Sequence, residues 1–206
     1  MKRWKIFLIL AIAILAVVFG SYKAYFQRAS YDPQIIAASE TAMWKAYYSG
    51  DKTELAMELF RLERSQFELT ALESAYTARL YAQAAMNFLR TRSNYEAQTL
   101  PFLERAYDKI RRVKKMSFDP KAAAKAELGW WIIRRDPNLN TTENVGKGIA
   151  ELYAVLYGGM KDQFLTAGLL RAQAAALRDE GEQNADWERI QALLEKSYTA
   201  LIEGVQ

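Results

Sequence analysis

The sequence predicts an all-α protein: an N-terminal transmembrane helix, then a short α-solenoid of about four helical hairpins arranged as two tandem copies. Three observations carry that expectation. Residues 6–19 are apolar without interruption. From about residue 33 to the end, apolar residues recur at helical spacing with no alternating strand pattern. Three phrases of the first half also recur, in the same order, in the second.

Lys5 and Lys23 bracket the first element, seventeen uncharged residues, 6–22. As a helix at about 1.5 Å per residue these span roughly 25 Å, slightly less than a hydrocarbon core of about 30 Å. Trp4, Tyr22 and Tyr25 stand where interfacial aromatics anchor such a helix. A cleaved signal peptide is the competing reading, because Val18 and Gly20 suit the small-residue positions before a cleavage site. Lys2, Arg3, Lys5 and the amino terminus outweigh Lys23 and Arg28, which keeps the N-terminus cytoplasmic. The expectation is a single-pass protein of a bacterial-type inner membrane with its C-terminal domain periplasmic or otherwise extracytoplasmic. Residues 1–30 then form the anchor and its flanks, and residues 31–206 the helical repeat domain.

The 206 residues include no Cys and no His. Catalytic triads built on His, thiolate nucleophiles, disulfides and His/Cys zinc sites are thereby excluded. The net charge of +4 comes largely from Lys2, Arg3 and Lys5; the remainder holds 25 basic and 24 acidic residues, a net of +1. A mixed surface of that kind gives no support to nucleic-acid binding.

The helical part divides in two. YDPQIIAASETAMW (31–44) aligns with FDPKAAAKAELGWW (118–131) at an offset of 87, matching an Asp-Pro helix start, Glu40 with Glu127, and Trp44 with Trp131. AQAA at 82–85 recurs at 172–175, offset 90, and LERAYDKI (103–110) recurs as LEKSYTAL (194–201), offset 91. Three ordered matches with a slowly growing offset imply a tandem duplication, copy one spanning 31–115 and copy two 118–205, with loop insertions near Pro137–Thr142. The spacing predicts helices over 33–49, 52–66, 69–92 and 95–113 in copy one, and over 120–135, 142–158, 162–179 and 185–203 in copy two. Gly50, Gly158-Gly159 and Gly181 mark stops, and Asp51 caps the second helix.

At hairpin scale LERS (62–65), LERA (103–106) and LEKS (194–197) share a Leu, a solvated acid–base pair and a small residue. AYYSGDKTELAMELFRLER (46–64) and NYEAQTLPFLERAY (94–107) resemble the turn and second helix of the tetratricopeptide family. Hairpin spacing here is longer, and that family's Leu-Gly pair occurs only at Leu128-Gly129. The resemblance implies helix pairs stacked into a solenoid and a role in protein–protein scaffolding; it assigns no functional residue.

Glu40 and Glu127 are the most unusual candidates, carboxylates on apolar stripes with Ile36, Met43 and Trp44, and with Ala123, Trp130 and Trp131. Buried bare, each would cost several kcal/mol, so each must be paired or protonated. In one reading they are structural, held by an Arg from the next helix such as Arg79 or Arg171. In the other they converge across a pseudo-two-fold axis to bind a ligand or share a proton. In ELGWWIIRR (127–135), Trp130/Arg134 and Trp131/Arg135 lie four apart, so each indole can stack under a guanidinium. The segment is a binding hot spot or an inter-hairpin packing wedge. The tyrosines read as core with hydroxyls at its edge. RRVKK (111–115) reads as a helix C-terminus complementing the macrodipole, with an acidic lipid or partner surface as the other use.

No metal, cofactor or catalytic residue is indicated. A carboxylate-based hydrolase is the enzymatic reading left over: Glu73-Ser74 invites comparison with lytic transglycosylases, but their glycine-rich companion segment is missing. The expected function is a membrane-anchored, non-catalytic scaffold or accessory/assembly subunit that docks another protein of a membrane complex. Trp130, Trp131, Arg134 and Arg135 on a concave face would supply the contact. The alternative is a binder of a small or lipid-like ligand in a cavity lined by Glu40, Glu127 and flanking aromatics such as Trp44.

Overall fold

The structure, a computed structural model, describes residues 20, 22–23, 25–179 and 185–206. Among these, eight helices and no strands occur: α1 (Pro33–Ser49), α2 (Lys52–Gln66), α3 (Ala71–Arg90), α4 (Tyr95–Lys114), α5 (Pro120–Arg135), α6 (Thr142–Tyr157), α7 (Asp162–Arg178) and α8 (Trp187–Val205). Most of the anchor segment 6–22 and the stop at Gly181 lie outside the described residues. Among the described residues no helix is long and apolar enough to cross a membrane.

The helix starts follow from their caps. Asp32 accepts hydrogen bonds from the backbone N–H groups of Gln34 and Ile35, and Asp119 from that of Lys121, each ahead of a proline at the first helical position. Thr70 and Glu73 form a reciprocal capping box, which is why α3 begins at residue 71 and not at 69. Asp186 likewise moves the start of α8 to 187. Gly50 and Gly158 take left-handed φ values of 74° and 93° at helix ends, where a side chain would be strained. The loop between α5 and α6 runs over residues 136–141, where the first copy needs only Gly50 and Asp51, so the inserted residues sit in a turn.

Each helix packs against its neighbours in the chain, and α1 packs against α8. Neighbours run antiparallel. The Asn87 side chain near the end of α3 donates to the Gln98 carbonyl near the start of α4 at 2.9 Å, and Lys161 before α7 donates to the Gly204 carbonyl at the end of α8. The eight helices thus form a closed circuit. An open solenoid leaves its terminal hairpins apart with a concave face between them; here the first helix meets the last, so the expected concave face is absent. Two contacts hold them together: Glu40 of α1 is buried against partners on α7 and α8, and Ile36 of α1 shares an apolar cluster with Ile190, Leu194 and Leu201 of α8.

The circuit encloses two apolar clusters. One joins α1, α6, α7 and α8 around Ile36, Tyr153, Phe164 and Tyr198. The other joins α3, α4, α5 and part of α6 around Leu80, Leu103, Tyr107 and Leu128. The α6–α7 crossing is the tightest: a Cβ on Gly168 would lie 2.2 Å from the Gly146 carbonyl oxygen. That atom is backbone and cannot swing away. Gly168→Ala should therefore lower stability by about 1–3 kcal/mol or more. Gly129→Ala, with nothing within 4 Å of the new methyl, should raise it by about 0.5–1 kcal/mol. Thermal denaturation of both variants checks the crossing; a neutral Gly168→Ala would contradict it.

Candidate functional site

Where the two apolar clusters meet, the interior turns polar. Glu40, at the middle of α1, is buried and receives Arg171 of α7 through Nε (3.0 Å) and Nη2 (2.6 Å) on one oxygen. Its other oxygen accepts from the Tyr198 hydroxyl of α8 at 2.5 Å. Glu127, at the corresponding place in α5, accepts from the Tyr107 hydroxyl of α4 at 2.8 Å and from Trp131 Nε1 at 2.9 Å. Tyr107 and Tyr198 are equivalent members of the recurring octapeptides. Each copy therefore lends a tyrosine hydroxyl to the carboxylate of the other, and the octapeptide recurs because the same bond is made twice.

The pattern breaks one helix further in. Arg171 stands where copy one has Tyr81, at the offset of the AQAA phrases. Glu40 thus has a cation, whereas Glu127 faces Tyr107, with Tyr81 edge-on to that ring at 5.8 Å. Copy one supplies a further carboxylate to this cluster, Glu63 of α2, where copy two has Tyr153. The Arg171 guanidinium acts on all three carboxylates, directly on Glu40 and through space on Glu63 and Glu127.

The electrostatics follow from burial with too little positive charge. Burial, then the neighbouring Glu127, push the Glu63 carboxyl up to about 8, against the opposing pull of Thr77 and Arg171. Burial raises Glu127 as well, against Arg171, Tyr107 and the Trp131 indole. Burial alone would depress the Arg171 guanidinium, but Glu40, Tyr198 and Tyr153 outweigh it and hold it charged. Burial also keeps the Tyr107 and Tyr198 hydroxyls protonated, which fixes them as donors to the carboxylates.

Trp44 is buried, with the Arg178 guanidinium 4.3 Å from its ring centre. Trp130 is half-buried beneath Arg171 at 5.7 Å, close to Gly148, and not beneath Arg134. Trp131 packs its edge on Phe88 while bonding Glu127. Arg134 reaches both oxygens of Asp179 at 2.7 Å. Arg135 donates to the Phe88 and Thr91 carbonyls, closing the end of α3, and stacks on Phe88 at 3.5 Å instead of on Trp131. All four side chains of the Trp-Arg segment are thus engaged within the chain. Arg171 is the cation that pairs Glu40, while Arg79 is exposed.

Sequence reasoning missed Glu63, which the LERS phrase presents as a solvated acid although it is fully enclosed. The signal was present: Glu63 follows Leu59 by four residues on one helical face. It also placed the tyrosine hydroxyls at the edge of the core, whereas Tyr107 and Tyr198 use theirs at its centre. Three polar atoms around the cluster lack a hydrogen-bond partner: Glu63 Oε2, Trp130 Nε1 and Tyr153 OH. Among the described residues no group of three or more acidic, His or Cys side chains is placed to hold a metal ion. No family model, curated protein or solved structure matches the chain.

In the unfolded chain Glu63 ionises near 4.5; in the fold it keeps its proton to about 8. Below the lower value both states are protonated and its contribution to stability is intact. Above it the unfolded chain gains by ionising, so stability falls as pH rises toward about 8. At about 1.4 kcal/mol per tenfold, the loss at the upper end is on the order of a few kcal/mol. Glu63→Gln should flatten that decline in urea melts taken across the interval. An unchanged slope in the variant would contradict a protonated Glu63.

Proposed function

We propose that the protein is a membrane-anchored, non-catalytic scaffold or accessory subunit that docks another protein of a membrane complex. The anchor is residues 6–22, and the helical domain is the part that presents a surface. The observation that supports this reading is how the buried carboxylates are used. Glu40 is locked by Arg171 and Tyr198, an arrangement that builds an interior. The open grooves lie elsewhere, between α3 and α4 and between α7 and α8, and neither is lined by Glu40 or Glu127.

The docking surface we infer is the end of the circuit where α3 stops and the α5–α6 loop turns. Leu89 and Leu139 stand exposed there, beside the half-exposed rim of Arg134 and Arg135. Apolar contacts bordered by arginine fit a protein partner. This keeps the Trp130–Arg135 segment at the interface in a supporting capacity: its arginines hold the end together through Asp179 and the α3 carbonyls while presenting their outer edges. The second reading, a binder of a small ligand between the copies, is favoured by the three unpartnered polar atoms around Glu63.

A photo-crosslinking residue placed at Leu89 in the full chain, in intact membranes, tests the first reading. One dominant protein adduct at position 89, absent when the probe sits at the exposed Lys125 of α5, is the expected result. Leu89→Asp with Leu139→Asp should lose the partner while changing stability by no more than about 0.5 kcal/mol per site. No protein adduct at either position would contradict a docking role for this end.

A further inference from the structure

The end of the circuit opposite Leu89 has a different character. The chain enters there: Ala29 N–H donates to the Leu69 carbonyl at 3.2 Å, Arg64 donates to the Gln27 carbonyl at 3.2 Å, and Arg28 bonds both the Glu68 carbonyl and Glu73. Residues 27–29 are thus tied to the α2–α3 turn. The last charge-free residue of the anchor segment, Tyr22, is six positions before Arg28. Fully extended, such a tether reaches only about 20 Å, and Tyr22 to Phe26 include helical turns that shorten it.

Two kinds of side chain collect at this end. Ile35 in the first turn of α1, Leu72 in the first turn of α3, Met160 ahead of α7 and Val205 at the end of α8 are exposed apolar residues. Tyr22, Tyr25 and Phe26 stand exposed on the tether, with the rings of Tyr22 and Phe26 4.8 Å apart. Around the copy-one half lies the RRVKK run that closes α4, with Lys109 two residues before it. The acids nearest this run are already taken: Asp108 by Arg111 and Arg112, Glu68 by Lys114, Glu73 by Arg28. Arg112 remains largely exposed, and Lys115 is exposed on a left-handed residue that turns the chain outward. Asp162 and Glu203 belong to the copy-two half of the same end, so the positive charge is one-sided.

We propose that this end face rests on the membrane surface, inserting its apolar side chains at headgroup depth and engaging anionic phospholipid through the α4 terminus. The inference rests on the anchor reading of residues 6–22 and deepens it: the domain is held flat against the bilayer and not suspended on a flexible stalk. Exposed aliphatic and aromatic groups bordered on one side by Lys and Arg are what an interface of hydrocarbon and phosphate takes up. A short tether docked by three backbone contacts leaves the end face no distant position.

The chain contains no Cys, so single spin labels are unambiguous. Full-length protein carrying Met160→Cys, or Leu139→Cys at the opposite end, is reconstituted into vesicles of phosphatidylcholine alone or mixed with phosphatidylglycerol. The ratio of collisions with membrane-dissolved oxygen to collisions with an aqueous nickel chelate reports depth. The expected ratio is several-fold higher at position 160 than at 139 and rises further with phosphatidylglycerol. Arg112→Glu with Lys115→Glu, introduced beside the label, should abolish that rise. Equal ratios at the two positions, in protein that floats with the vesicles, overturn the end-face inference and leave the anchor standing. A ratio at 160 that ignores lipid charge overturns the anionic contact. Protein that fails to float with either vesicle overturns the anchor reading and this inference together.

Discussion

The closed circuit depends on a reciprocal exchange: Tyr198 of the second copy holds Glu40 of the first, and Tyr107 of the first holds Glu127 of the second. A carboxylate stranded in an apolar interior is worth several kcal/mol of destabilisation, so each helix bearing one is committed to the helix that answers it. That commitment sets α4 beside α5 and α8 beside α1, equivalent contacts across the two copies. Adjacent sequence would bring α4 and α5 together in any helical array. The Glu40 partners, together with the apolar packing of Ile36 and Trp44, bring α1 to α7 and α8 across the length of the domain.

The exchange is symmetric in its hydroxyls and asymmetric in its charge. Arg171 neutralises the first carboxylate; at the matching position Tyr81 cannot do the same for the second, and Glu63 adds a further acid. Burial raises both Glu63 and Glu127, which favours the protonated acid where charge is poorly solvated. Two consequences meet here. The fold carries a built-in dependence on pH, and it concentrates its polar groups away from either surface that a partner or a bilayer could reach. The scaffold we propose would use such an arrangement through its two ends, which differ. One end shows leucines bordered by arginine; the other shows aliphatic side chains beside lysine and arginine where the tether enters.

Much of the fold was legible in the sequence because helix boundaries are local. Asp-Pro starts, Gly50 and Gly158 act within one turn, and the expected helices match those found to within about two residues. The duplicated phrases also pointed to the residues that matter, since LERAYDKI and LEKSYTAL contain the two bonding tyrosines. Closure was not legible: Arg171 was among the candidate partners of the buried glutamates, but nothing within a few residues of Glu40 chooses a cation 131 positions later over one on a nearby helix such as Arg79. The spacing of Trp130 with Arg134 and of Trp131 with Arg135 was real but uninformative. Each arginine found a better acceptor, Asp179 or the end of α3, than the ring one turn away. Glu63 was hidden by its neighbours, since an acid flanked by arginine reads as solvated until the packing of α2 is known.

The most direct test of the central claim is a pair of double-mutant cycles on stability. Glu40→Gln combined with Tyr198→Phe, residues 158 apart in sequence, should show a coupling of about 0.5–3 kcal/mol, the range for residues in direct contact. Glu40→Gln combined with Tyr107→Phe, within the same copy, should be additive to within about 0.5 kcal/mol. Coupling in the within-copy pair, or none in the cross-copy pair, would contradict the exchange and with it the closed circuit.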